Sequence, residues 1–297
     1  MGIAVETLTL PEFYRRQYRP TQLLGCARAT LAQYEVALSH YNASGDGLPI
    51  SSLTEIHLAA VVRHVLGRGS SPATANKVLR HLMAILRFAR RKHLIRHLPR
   101  IRKLREPERL PEAWRLEEIT AILEAAKAEP GAVASIPAGA YWESLLLACY
   151  DSGGRIGAVS AMRPMDVDLG HGWAKLCAEN QKQSRDQFFQ LDDQTVRAIG
   201  RIWDRERPLL WPWPFGRNAL YDHFRKILKR AGVSYGQMHG GLFHKVRRTS
   251  GSLVEANGGD GSRQLGNSRA VFLKHYWDPR IAPRSQFSLL PRPQLAD

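Results

Sequence analysis

The stretch FHKVRRTSGSLVE, Phe243 to Glu255, sets His244 and Arg247 three residues apart at the start of a predicted helix, so their side chains leave one face as neighbours. Val246, Leu253 and Val254 give that helix an apolar side, and Asn257-Gly258-Gly259 stops it. A guanidinium beside an imidazole at the positive end of a helix is a cradle for a phosphate; read alone, the fragment is also a solvated basic helix end. In Asp151-Ser152-Gly153-Gly154-Arg155-Ile156, two glycines allow a sharp turn that holds Arg155 beside the core, the alternative being a surface arginine after a loop. Leu265-Gly266-Asn267-Ser268 reads as a further turn, followed by a short helix Val271 to Trp277 that bears Tyr276.

These residues need elements to carry them. The spacing predicts helices over residues 7–18, Thr30 to Tyr41, Ser52 to Leu66, and from Ser71 to about His93. In the last of these, Val78, Leu82, Ile85 and Ala89 share one face, and Arg80, Arg87 and Arg91 lie opposite. From Lys77 to Arg105 there are many Lys and Arg residues and no Asp or Glu, whereas a merely solubilising face intersperses both signs. Lys77, Arg80, Arg87 and Arg91 are therefore candidate nucleic-acid contacts, with a solvated face as the bland alternative.

Pro107 and Pro111 bracket a charged stretch without periodicity, which we read as a linker. Beyond it come a helix Leu116 to Ala128, a loop Gly131 to Gly139, and a nearly all-apolar helix Tyr141 to Tyr150 that should be buried. Gly172 to Leu191 alternates and then turns polar, predicting a β-hairpin with Lys182 in its turn region. Helices from Asp193 to Arg207 and Arg217 to Ala231 flank Trp211-Pro212-Trp213-Pro214, whose indoles read as loop packing ahead of a stacking platform for bases. The expected organisation is a helical unit 1–105, a linker 106–111, a mostly helical unit 112–280 carrying a small antiparallel sheet, and a tail 281–297 rich in Pro and polar residues.

Composition narrows the function classes. The chain has 297 residues, 44% hydrophobic and 24% charged, which is globular. Its formal net charge of +16 favours a polyanionic partner. The longest apolar run, Leu145 to Cys149, is too short to span a bilayer, and no segment has the large apolar face of a membrane-surface helix. Three widely spaced cysteines, Cys26, Cys149 and Cys177, together with an N-terminus that lacks a secretory pattern, lead to the expectation of a reducing, cytoplasmic setting.

Taken in order, these motifs resemble those of the tyrosine recombinase (phage integrase) family. The family's T-G-x-R loop is matched by Ser152-Gly153-Gly154-Arg155, its hairpin lysine by Lys182, and its H-x-x-R helix start by His244-Lys245-Val246-Arg247. Its L-G-H-S turn is matched by Leu265-Gly266-Asn267-Ser268, and Tyr276 follows Asn267 by the nine residues that the family pattern requires. The resemblance covers roughly Leu110 to Asp278, and more loosely residues 1–105 as the family's SAM-like, all-α core-binding domain. Two positions depart from the pattern. Ala158 stands where the family usually has an acidic residue that orients the first arginine, and Asn267 replaces the usual histidine. An amide donates a hydrogen bond but carries no charge and moves no proton at neutral pH.

The resemblance implies a site-specific recombinase that cuts and rejoins double-stranded DNA through a 3′-phosphotyrosyl intermediate, without metal, ATP or other cofactor. Arg155 and Arg247 would stabilise the charge on the phosphate, helped by His244 and Asn267, while Tyr276 attacks. Lys182 would protonate the departing 5′ oxygen, with Lys175 and Arg185 as substitutes. It also implies a homotetramer on DNA, nucleoid-associated when bound, and a tail in which Leu289-Leu290 could dock on a neighbouring protomer. Two alternatives remain: a relaxing topoisomerase with the same tyrosine chemistry, and a catalytically silent DNA-binding relative, the latter suggested by Ala158 and Asn267.

Overall fold

In the computed structural model, which describes residues 8–45, 47–235 and 241–282, the chain divides into two units, Met1–Glu108 and Arg109–Asp297. The tail 283–297, Leu289 and Leu290 included, lies outside the described residues.

The first unit is helical. α1 (Leu10–Phe13) opens on a Thr9/Glu12 capping box and runs through a π-helical segment, Tyr14–Tyr18, into α2 (Arg19–Gln22). The helix thus continues four residues past the expected end at Tyr18. Pro20 sits in the first turn of α2, where its missing N–H is tolerated, and the wider π turn ahead of it relieves the clash a proline makes with the preceding turn. α3 (Arg28–Asn42), α4 (Glu55–Gly67) and α5 (Pro72–Arg91) complete the unit. Val78, Leu82, Ile85 and Ala89 of α5 are buried as their spacing predicts, against a core that includes Phe13, Tyr14, Tyr18 and Tyr34. The Asn76 amide exchanges hydrogen bonds with the backbone of Leu104, at 2.9 Å each way, and donates to Glu106, fastening the end of the unit to α5.

The second unit is built on α7 (Ala138–Ser152), which buries nearly every side chain and packs against α6 (Leu116–Lys127), α9 (Asp193–Gly200) and α11 (Leu242–Ala256). Three readings from sequence are corrected here. The expected loop 131–139 contains a two-stranded hairpin, β1 (Ala132–Val133) and β2 (Ile136–Pro137), closed by Ala134 and Ser135 at positive φ; neither residue is a usual turn signal. The hairpin carrying Lys182 gains a third strand, so that β3 (Val167–Asp168), β4 (Trp173–Leu176) and β5 (Gln187–Gln190) form one antiparallel sheet. α9 ends at Gly200, short of the expected Arg207, whose guanidinium instead donates to the Ile202 carbonyl at 3.0 Å. Of the indoles, Trp211 is fully buried and donates to Ser144 Oγ at 3.0 Å, while Trp213 packs on Trp142, so both serve packing. α8 (Ile156–Val159), α10 (Arg217–Arg230), α12 (Gly261–Gln264) and α13 (Arg269–His275) complete the unit. Among the described residues no helix is long and apolar enough to cross a membrane.

Candidate active site

Arg155 is presented by a turn that no other residues fit well. α7 stops at Gly153 in the left-handed region, φ +55°, where an added Cβ would stand 2.5 Å from Leu265 Cδ2. At Gly154 it would meet Val159 Cγ2 at 2.7 Å and Leu176 Cδ1 at 2.9 Å. The chain therefore passes tightly between α8, the sheet and Leu265, and delivers Arg155 as the N-cap of α8.

Arg247, on the second turn of α11, is 2% exposed. Its guanidinium donates to the Gly153 carbonyl and, at 2.5 Å, to the Leu265 carbonyl. One side chain thus fastens the Ser152–Arg155 turn, the Leu265–Ser268 turn and α11 together. Its Nε–H is buried with no partner among the described residues, and its Cζ lies 5.0 Å from the centre of the Tyr276 ring. Burial pushes its pKa down to about 10; Tyr276 acts the other way and Arg155 adds to the depression. It remains a cation at neutral pH. His244, half-buried one turn earlier, has its pKa pushed down to about 4 by burial and then by Arg247, Arg248, Arg155 and Arg217. It is a neutral imidazole facing a cationic cluster.

Tyr276 follows α13 directly, with its N–H on the Phe272 carbonyl at 2.8 Å. Its carbonyl accepts from Ser252 Oγ at 3.1 Å, and the same hydroxyl accepts from the Asp278 N–H at 3.0 Å. The buried Asp278 carboxylate accepts from the Ala113 N–H at 2.7 Å and pairs with Arg280. These hydrogen bonds hold its pKa below the usual carboxylate range against the effect of burial, so it stays ionised. Ser252 and Asp278 have no motif signature and were not legible in the sequence.

Asn267 stands in a turn made possible by Gly266 at φ +60°, with its N–H on the Ser262 carbonyl at 2.9 Å. Its Nδ2 is buried and has no hydrogen-bond partner among the described residues. Lys182 is where the sequence placed it, exposed in the β4–β5 connection, but it makes no hydrogen bond or ion pair there. Its neighbour Gln183 reaches the site instead. Gln183 Oε1 accepts from Arg155 Nη1 at 2.9 Å, and Nε2 donates to the Gly266 carbonyl at 2.8 Å and Asn267 Oδ1 at 3.3 Å. Ala158, at the position of the missing acid, is buried and gives Arg155 no side-chain partner.

The arrangement therefore brings Arg155, Arg247, His244, Asn267 and Tyr276 around one place, with Lys182 on the adjoining connection. Two cations and two donors lacking partners, Arg247 Nε–H and Asn267 Nδ2, are suited to an oxyanion such as a phosphate. In the first unit, Lys77, Arg80, Arg87 and Arg91 are all exposed on α5, as is Arg90, although Arg91 also donates to Gln22 Oε1 at 3.2 Å.

Neither a family sequence model nor a curated protein matches the chain. Solved structures do. The lambda integrase (residues 75–356) dimer bound to a COC′ core site superposes with a TM-score of 0.72 at 17% identity, covering 97% of this chain and all (100%) of that one. A lambda integrase tetramer bound to a Holliday junction gives 0.71 at 17% identity, covering 92% of this chain and 78% of that one. The Tn1549 transposon integrase in complex with a circular intermediate DNA gives 0.71 at 15% identity, covering 92% and 96%. Sequence identity this low establishes architecture only, and on that ground the chain has the tyrosine-recombinase fold.

Proposed function

We propose that this protein is a DNA strand transferase of the recombinase and integrase kind. The observation that carries the reading is the buried Arg247 guanidinium, set 5.0 Å from the Tyr276 ring with an unpartnered Nε–H, beside Arg155 and the equally unpartnered Asn267 amide. A phosphodiester under attack gathers negative charge on its non-bridging oxygens, and donors fixed in advance around them lower the barrier. In the proposed step Tyr276 Oη forms a bond to phosphorus while the bond to the 5′ oxygen breaks. The phenol proton passes to His244 or solvent, and Lys182 gives a proton to the departing oxygen. The 3′-phosphotyrosyl product keeps the bond energy until a 5′-hydroxyl attacks in reverse. The substrate is double-stranded DNA, and the assembly, by analogy with the lambda integrase tetramer on a Holliday junction, is a homotetramer.

A nicked suicide substrate, from which the cleaved end diffuses away, tests this. Wild-type protein is expected to accumulate a covalent protein–DNA adduct that Tyr276→Phe does not form. DNA binding without any adduct would sink the reading in favour of a silent DNA-binding relative, the alternative that Ala158 and Asn267 suggest. Relaxation of supercoiled DNA without exchange between two sites would favour the topoisomerase alternative.

A further inference from the structure

The β4–β5 connection is stitched to itself at several points. Asp186 accepts from the Ala178 N–H at 2.7 Å, and the Gln181 amide donates to the carbonyls of Leu176 at 3.1 Å and Arg185 at 2.7 Å. Ser184 stands at φ +47°, which lets the chain double back. These bonds shape the connection without attaching it to anything else. Gln183 leaves this closed shape and spends both ends of its amide on the catalytic unit's two phosphate-facing turns, through Arg155 on one side and Gly266 with Asn267 on the other. An exposed glutamine in solvent gains little from such ordering and loses rotamer freedom, so three simultaneous bonds from one side chain mark a built contact.

The consequences are local. Lys182 precedes Gln183 in the chain, about 3.8 Å away at Cα, so fixing one confines the other. Arg155 lacks the carboxylate that position 158 would supply, and the Gln183 carbonyl oxygen takes the partner's place on Nη1. Being neutral, the amide orients the guanidinium without neutralising it, which leaves the charge for a substrate oxyanion.

We propose that Gln183 is a positioning residue that docks the β4–β5 connection on Arg155 and Asn267 and thereby sets the place from which Lys182 acts. The catalytic half of this rests on the function proposed above; the docking half does not. Two measurements on the full chain separate them. Hydrogen exchange in the free protein reads docking directly: Gln183→Ala should speed exchange of amides in 181–186 while leaving α7 and α11 unchanged. Adduct formation reads the acid step, using an ordinary suicide DNA and one whose scissile bridging 5′ oxygen is replaced by sulfur, a leaving group that departs without protonation. Gln183→Ala should be slower than wild type by about tenfold or more on oxygen, return to the wild-type rate on sulfur as Lys182→Ala does, and bind DNA with unchanged affinity. Unaltered exchange in Gln183→Ala would overturn the proposal whether or not the protein cleaves DNA. A defect that persists undiminished on sulfur would also overturn it, because the side chain would then act on the phosphate or on folding and not through Lys182. Wild-type protein that forms no adduct on either DNA would instead sink the proposed function, with exchange still deciding the docking.

Discussion

At the level of single residues the structure gives Arg247 a double duty. Removing its side chain would leave two buried carbonyls, of Gly153 and Leu265, without donors, so a loss of activity on its substitution would mix catalysis with folding. Asn267 is the cleaner probe, because its Nδ2 makes no bond that folding depends on. Asn267→Ala should slow adduct formation by about 10²-fold, the usual scale for one preorganised donor, with unchanged urea unfolding. Asn267→His should speed adduct formation, since an imidazole restores a group able to carry charge; a slower His variant would show that the pocket has adapted to the amide. His244 yields a prediction about pH. Its folded pKa, near 4, lies below the 6.5 of an exposed histidine, so as pH falls the unfolded chain takes up the proton first. Its contribution to stability is therefore complete above about pH 7 and declines between about 6.5 and 4. The difference in unfolding free energy between wild type and His244→Gln should shift across that window in the direction of a weaker wild type at low pH. A difference that stays constant from pH 7 to 4 would show that the imidazole is not held neutral.

Elements explain why some of this was legible in the sequence and some was not. The residues that meet substrate sit in short motifs whose glycines and basic pairs are local signals, which is why Arg155, Arg247, Asn267 and Tyr276 could be named before any fold was known. The groups that hold them act across long separations: Ser252 on the Tyr276 carbonyl, Asp278 on the Ala113 N–H, Gln183 on Arg155. A lone serine or glutamine carries no periodicity, so only the folded chain reveals its partner. The same holds for β3 and the β1–β2 hairpin, two-residue strands too short to alternate. Buried helices were read well because the 3.6-residue spacing of α5 and the unbroken apolar run of α7 are properties of the chain itself. The Ser252 contact tests how much the elements matter to the nucleophile. Ser252→Ala removes the hydroxyl that ties α11 to the backbone on either side of Trp277, and should cost about 1–3 kcal/mol of stability. Under conditions where the variant is fully folded, adduct formation should still fall about tenfold, with DNA affinity intact. Wild-type rates would mean that α13 alone places Tyr276.

Charge operates at the scale of the whole molecule. A net +16 raises the local concentration of any polyanion, but it does not say which surface engages one. Within the first unit the exposed face of α5 concentrates Lys77, Arg80, Arg87, Arg90 and Arg91, with no acidic residue from Lys77 to Arg105 to offset them. The opposite face is committed to the core, so substitutions on the exposed side leave packing untouched, apart from the single bond from Arg91 to Gln22. If this face grips the DNA backbone, each phosphate contact releases condensed counterions, and the logarithm of affinity falls with the logarithm of salt by roughly 0.9 for each contact. Replacing Arg80, Arg87 and Arg91 together by Ala should therefore weaken duplex binding and flatten the salt dependence by up to about 2.7 in slope, while unfolding changes by less than about 1 kcal/mol. The slope, not the affinity, decides the matter: a general loss of positive field lowers affinity at every salt concentration, whereas lost contacts change how steeply salt acts. An unchanged slope would place these arginines in solvent and move the backbone grip to another surface.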